Sequence, residues 1–385
     1  MKRDAFLAVC TAVILAGCGG GGSNSGHSGP SSPQLAVATK TKAGGAATPT
    51  PPPGKATPTL AVVPTDTPTP GPPVLVVHPG DVVLPIIRSA PSGSIVAFAA
   101  GTYAGFTVQA SDVQGSITLL ADVTGRLTDG GALPVTIAAG NGAAAALEIS
   151  GVSGLVVDGF TVQGGGEEAL LVINSPQTTV QNCTVQDSAG DGLFVEGSDQ
   201  AVVLDNLVVG NRRAGIRVYG SNELQAINNT VYGNHDNGVS VGSAQEPDSS
   251  VTVVNNIINA NQPSGIVVDA STLDYSGNFN LNSDGYGPDT PSGPNDIALD
   301  PLFIDPQSGD FHLSDNSPAV DTGSSGIDAD AVILLEQRTT RVDGSADLPP
   351  LDLGFHYPTP PPTPTPLPRS TRPRKTATPT PARVG

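Results

Sequence analysis

Arg217, Tyr219, His235 and Asp236 stand within one stretch, IRVYGSNELQAINNTVYGNHDNG, residues 216–238, and each has a side chain able to take part in chemistry. A guanidinium pairs with a carboxylate, a phenol donates a proton, and an imidazole takes one up near neutral pH. Further polar groups lie upstream at Asp187, Asp191, Glu196, Arg212 and Arg213, and Asp269 lies downstream. Whether these groups act together depends on which face of the chain each one occupies.

The residues around them answer that. Segments beginning at Leu147, Leu170, Leu193, Ile216, Val239 and Ile266 align; four successive spacings are 23 residues, and the fifth is 27, the surplus falling in SAQEPDSS. The first and third residues are apolar in all six segments, the third being Ile149, Val172, Val195, Val218, Val241 and Val268. That period of two marks a strand with one buried face. Val162, Val185, Val208, Val231 and Ile258 form a second apolar column, and the three-and-four spacing of a helix is absent. The pattern predicts an all-β fold: a right-handed parallel β-helix with three short strands and three turns per coil, its coils stacked at ~4.8 Å.

Corner positions fit the same frame. Gly159, Asn182, Asp205, Asn228 and Asn255 share a site where left-handed backbone is tolerated by those residue types. The next column reads Phe160, Cys183, Asn206, Asn229, Asn256, so three amides are expected to hydrogen-bond along the stack, with Cys183 and Phe160 as apolar plugs. The second and fourth residues of each unit then point outward. Those columns are Glu148, Leu171, Phe194, Arg217, Ser240, Val267 and Ser150, Ile173, Glu196, Tyr219, Gly242, Asp269. Adjacent coils separate such groups by ~5 Å and alternate coils by ~10 Å, which allows Glu196, Arg213, Arg217, Tyr219 and His235 to converge.

The ends of the chain differ in kind. Lys2 and Arg3 precede an apolar run, Ala5 to Ile14, that reads as an export signal and is too short to span a bilayer. Leu15-Ala16-Gly17-Cys18 resembles the lipobox of bacterial lipoproteins, which implies cleavage before Cys18, lipid on its sulfur, and a mature chain anchored to a membrane at the cell surface or in the periplasm. Residues 1–18 are thus the signal peptide and lipobox. Residues 19–73 and 358–385 hold Pro/Thr-rich stretches of a composition that cannot bury a core, and the second carries the basic run RSTRPRK. Between them, residues 74–357 form the body, with Cys183 its one cysteine and therefore no disulfide framework. The body carries seven arginines, no lysine and 33 acidic residues, a net charge of −26. That charge argues against nucleic acid as a partner.

Two segments carry a family resemblance. PGDVVLPIIRSAPSGSIVAFAAGTYAG, with Asp81 placed to cap a short helix, followed by a strand and a Gly-Thr-Tyr turn, resembles the start of many pectate-lyase-like β-helix proteins. DPLFIDPQSGDFHLSDNSPAVDTG resembles the segment that follows the coils in secreted bacterial right-handed β-helix proteins, and LDLGFHYP loosely matches their closing Asp-Gly-aromatic signature. A cap from about residue 297 is expected. The resemblance implies a polysaccharide or cell-envelope polymer as partner, bound along the first strand of each coil by a monomer.

On that implication, lysis or C5 epimerisation of an acidic polysaccharide would use Arg217 or His235 as base and Tyr219 as donor to the leaving oxygen. Arg212 and Arg213 would pair the substrate carboxylate, with Glu196, Asp191, Asp236 and Asp269 as further contacts. The lysine base of some β-helix lyases has no counterpart in a body without lysine. Hydrolysis needs two carboxyl groups, for which Asp191 and Glu196 qualify, but the Asp-pair and Gly-His-Gly signatures of polygalacturonases are missing. A non-catalytic surface rod for adhesion or envelope architecture is the alternative. The absence of Trp, with six Tyr, leaves few platforms for sugar stacking. No cofactor is required; calcium is one reading of NLNSDGYGPDTP, where Asn280, Asn282, Asp284 and Gly285 fit a calcium loop but Pro291 stands where the bidentate Glu belongs. A plain acidic turn is the other.

Overall fold

The computed structural model describes residues 71–359 other than 141, 244–248, 271 and 273. Cys18 and the lipobox, nearly all of both Pro/Thr-rich segments, and most of the SAQEPDSS insertion lie outside the described residues.

Each 23-residue unit contributes three strands to three parallel sheets, and the result is a right-handed parallel β-helix. Sheet 1 runs from Phe106–Gln109 to Ile266–Val268 with seven strands, sheet 2 from Val74–Val77 to Asp274–Asn278 with nine, and sheet 3 from Gly101–Ala104 to Leu281–Asn282 with eight. The register follows the repeat: Leu147, Leu170, Leu193, Ile216, Val239 and Ile266 pair in succession. All six side chains are buried, as are Val162, Val185, Val208, Val231 and Ile258. The corners behave as their residue types require, with φ of 83° at Gly159, 57° at Asn182, 54° at Asp205, 50° at Asn228 and 60° at Asn255.

The coils also begin earlier than the repeat shows. Phe106 pairs with Leu147 across 41 residues of chain, because a loop around residues 122–134 interrupts that coil. At the amino end, the helix Val83–Ser89 buries Val83 and Ile87 in the core. Its N-cap is Val82 with no side-chain cap; Asp81 instead accepts from the His78 N–H at 2.8 Å and closes the turn before it. Gly101–Ala104, expected as a turn, is the first strand of sheet 3, since Tyr103 is drawn inward and donates its hydroxyl to the Val77 and Ala99 carbonyls at 2.9 and 2.7 Å.

Amide ladders run inside the corners. Asn206, Asn229, Asn256 and Asn280 each offer Oδ1 to the N–H of the coil before, and the first three donate Nδ2 to the next Oδ1. The last of them, Asn280, donates to Asp296 Oδ1 at 3.3 Å. A second ladder of Asn211, Asn234 and Asn261 ends in the same way on Asp284.

The carboxy-terminal segment does more than close the stack. Ile297 pairs with Leu281, but the chain then returns along the flank, so that Gly354, Phe355 and His356 donate their N–H groups to Asn255 O, Thr230 Oγ1 and Asp205 Oδ1. Apolar contacts reinforce this, Phe311 and Phe355 packing on Leu207, and Ala331 on Leu204 and Ile227. At its centre His356, fully buried, places Nε2 2.8 Å from Asp347 and Nδ1 3.3 Å from Asp205, while Arg338 Nε lies 2.8 Å from Asp205. The Arg338 N–H is aimed at the His356 carbonyl, so its link to Asp205 is ionic rather than a directed hydrogen bond. Burial alone would lower the imidazole's pKa, but Asp205 and Asp347 overcome it and hold it at about 9.

Two outcomes follow from these contacts. Asn229→Ala removes one amide that accepts twice from Asn206 and donates to Val203 O and Asn256, leaving buried donors and acceptors without partners. Urea unfolding should show a loss of about 3 kcal/mol or more, and a loss under about 1 kcal/mol would contradict the ladder's role. For His356 the folded state holds the proton more tightly than the unfolded chain. Its stabilisation is therefore complete below pH 6.5 and is lost as pH rises through about 9. The melting temperature should drop by about 5 °C between roughly pH 7 and pH 10, and His356→Gln should remove most of that drop.

Candidate functional site

Sheet 1 turns its second- and fourth-residue columns outward, and in its middle coils the groups meet. Arg217 stands in register with Phe194 and Ser240, and Tyr219 with Glu196. The Tyr219 ring packs edge-on against Phe194 at 5.2 Å between centroids, which leaves Phe194 buried although its position faces out. The Arg217 guanidinium lies 5.6 Å from the centroid of the Tyr219 ring and donates from Nη1 to the Tyr219 hydroxyl at 3.2 Å.

Behind Arg217 sits Asp191, 2% exposed. It opens the strand Asp191–Glu196, where consecutive N–H groups of Gly192 and Leu193 both donate to the next coil, to the Ala214 and Gly215 carbonyls, so simple alternation does not hold at this end and the carboxylate meets Arg217. One oxygen accepts from the Ala214 N–H at 3.0 Å; the other lies 3.2 Å from Arg217 Nε. The Nε–H is not aligned on that oxygen, so this contact too is an ion pair without a directed hydrogen bond. Burial raises the Asp191 pKa, opposed by the charges of Arg217 and Arg213 and by the Ala214 N–H. Asp236 approaches from the next coil, its Oδ2 3.8 Å from Arg217 Nη2, and its other oxygen accepts from the Asn237 N–H.

The remaining candidates are placed apart from this centre to different degrees. His235 is exposed and lines a separate depression with Gly233, Asn234, Ala260 and Gln262. Arg212 and Arg213 are exposed at the corner before Ile216, their N–H groups donating to the Ser188 and Gly190 carbonyls. Glu196 lies half-buried beside Tyr219, and Asp269 lies two coils further along the same column. Glu168 was not anticipated: it pairs in register with Asp191 and is 2% exposed, so two buried acids occupy adjacent coils. The signal for it was available, an acidic residue two positions before the inward Leu170.

The calcium reading meets a direct obstacle. Asn280 Oδ1 accepts from Asn256, and both Asp284 oxygens accept from N–H groups of residues 260 and 261. Asn280 Oδ1 is thus engaged within its ladder, which ends on Asp296, and the Asp284 oxygens end the second one. Among the described residues no group of three or more His, Cys, Asp or Glu side chains is arranged to hold a metal ion.

Residues 145–288 match the family model described as "Right handed beta helix region". No curated protein matches. Among solved structures, the periplasmic alginate epimerase AlgG aligns with 14% identity over 55% of each chain at a TM-score of 0.37, so the chain spans about half of that protein. Pectate lyase Pel9A aligns with 16% identity over 75% of this chain and 97% of its own, at 0.33. The A-module of the mannuronan C-5 epimerase AlgE4 from Azotobacter vinelandii aligns with 13% identity over 59% and 89%, at 0.24.

The Asp191–Arg217 pair yields a pH-dependent outcome. In an Arg217→Ala variant the buried carboxylate loses the cation that opposes its desolvation, so its pKa rises further and its charged form becomes costly at neutral pH. A carboxyl pKa raised in the folded state destabilises as pH rises through it. The variant should lose roughly 3–5 kcal/mol at about pH 7.5 and much less at about pH 4. Equal losses at both pH values would show that Asp191 does not depend on Arg217.

Proposed function

We propose that this chain is an exported, lipid-anchored β-helix protein that binds an acidic polysaccharide along sheet 1, over Arg217 and Tyr219, and processes it by lyase- or C5-epimerase-type chemistry. The observation that supports it is the Arg217–Tyr219 pair on the outward face, held from behind by a buried carboxylate. Export and anchoring rest on the apolar run before Leu15-Ala16-Gly17-Cys18. Among the described residues no helix is long and apolar enough to cross a membrane.

Both reactions begin with loss of the sugar C5 proton, next to a carboxylate that takes up the developing charge. Arg217, joined by Arg212 or Arg213, neutralises that carboxylate. Tyr219 accepts a hydrogen bond from Arg217 and keeps its own proton to donate. In lysis that proton goes to O4 as the C4–O4 bond breaks and C4=C5 forms; in epimerisation a proton returns to C5 from the opposite face. The base is the harder role to fill, since Arg217 is ion-paired and His235 faces its own depression. His235 serves only if the loop 233–238 turns toward Arg217, so binding is the primary part of the proposal.

A second reading has its own observation. The nitrogens of Arg217 all face groups of this protein, Asp191, Tyr219 and Asp236, as in a rod whose charges are satisfied internally. Purified protein incubated with uronate polymers separates the two. Binding that weakens about tenfold or more in Tyr219→Phe or Arg217→Ala, assayed where the variants remain folded, supports the site. Absorbance of an unsaturated product identifies lysis, and exchange of the C5 proton with solvent identifies epimerisation. Absence of binding to every uronate polymer, with attachment of cells lost on deletion but kept in the Tyr219→Phe strain, decides for the rod.

A further inference from the structure

A groove of about 760 Å3 lies on the flank opposite in role to sheet 1, between the loop 122–134, the outer face of sheet 3 and the returning carboxy-terminal segment. Its lining is largely apolar and aromatic, including Leu127, Leu207, Val209, Phe311, Phe355 and Tyr357. The loop wall is rigidly built, because Asp122 accepts from the N–H groups of Arg126, Leu127 and Thr128.

Three features bear on what covers this groove. First, the returning segment crosses successive coils in register, Gly354 meeting Asn255, Phe355 meeting Thr230 and His356 meeting Asp205. Asn182 is the next member of that corner column and lines the groove; its Nδ2 donates to Asp158, but its buried Oδ1 has no hydrogen-bond partner. Second, Tyr357 and Pro358 themselves line the groove, and Thr359 donates to Gln337 O at its edge, so the chain from residue 360 starts there. Third, that chain reads PPPTPTPLPR and then carries Arg372, Arg374 and Lys375, while Asp122 and Asp158 lie in the groove of a body with net charge −26.

We propose that residues 360–369, the start of the Pro/Thr-rich tail, dock in this groove and continue the returning segment past Asn182. Proline-rich chain adopts an extended form at low entropic cost, and its rings pack on aromatic side chains. Ten residues at ~3.1 Å each reach about 31 Å, enough to run beyond Asn182 and Gly159 at ~4.8 Å per coil. Leu367 supplies an apolar side chain, and the basic residues after it face the acidic body.

Trypsin cleavage after Arg369 reads the docking, since proteolysis tracks the population of the released form. In the full chain this bond should be cut about tenfold or more slowly than in a free synthetic peptide of residues 360–380. Leu127→Asp, at a 40% exposed position of the groove wall, should restore the peptide's rate without altering the melting temperature. Leu367→Asp should do the same from the tail side. Cleavage of the native chain at the peptide's rate overturns the proposal, as does protection unchanged by both substitutions. Protection that appears only with dimer formation at high protein concentration also overturns it, in favour of a second copy in the groove.

Discussion

Everything in this fold depends on like stacking on like at one coil's spacing, and the side-chain amides impose the strictest form of that constraint. An apolar column tolerates a change of shape between coils, as Phe160 and Cys183 show at the start of one ladder. A buried asparagine does not, because its oxygen must meet an N–H from the coil before and its nitrogen an acceptor in the coil after. The ladders therefore have a direction and need a terminus that only accepts. Asp296 and Asp284 are those termini, half-buried carboxylates that accept and leave no further amide donor to be paired. Within the run NLNSDG, Asn280 and Asp284 take part in the ladders.

The same corners serve a second purpose outside the core. Asp205, Asn228 and Asn255 face the flank and receive the returning segment through His356, Asp352 and Ser324. Lateral packing of this kind seals a side of the coils that would otherwise present corner amides and Leu204, Leu207 and Ile227 to water. Its cost is a buried ionic cluster, and the cluster holds because each carboxylate is matched: Asp205 by His356 and Arg338, Asp347 by His356.

Positive charge is scarce in this body, and where it stands is informative. Arg88, Arg217, Arg338 and Arg341 are each paired with an aspartate, while Arg212 and Arg213 remain exposed at the corner beside the Arg217–Tyr219 pair. A strongly acidic surface repels a polyanion that comes within about a Debye length of it, so recognition of an acidic polymer has to come from short-range contacts at a spot where positive charge is gathered. That places the weight of any such activity on a few residues of two adjacent coils.

How much of this was legible follows from what a repeat can encode. The 23-residue period by itself determined the fold, the register, the inward columns and the left-handed corners, because translation by one coil maps each residue type onto its own environment. It could not show the coil ending at Phe106, whose 41-residue spacing hides it, nor that Asp81 binds His78 rather than capping the helix. The outward columns brought Arg217 and Tyr219 together as expected from spacing, whereas His235, one loop away, faces a separate depression. Side-chain direction at a corner is set by local backbone torsions, not by the period. The burial of Asp191, the neutralisation of Arg217 and the joining of residue 356 to residue 205 were decided by tertiary structure alone, since they depend on contacts between coils and on a chain that leaves the repeat and folds back across it.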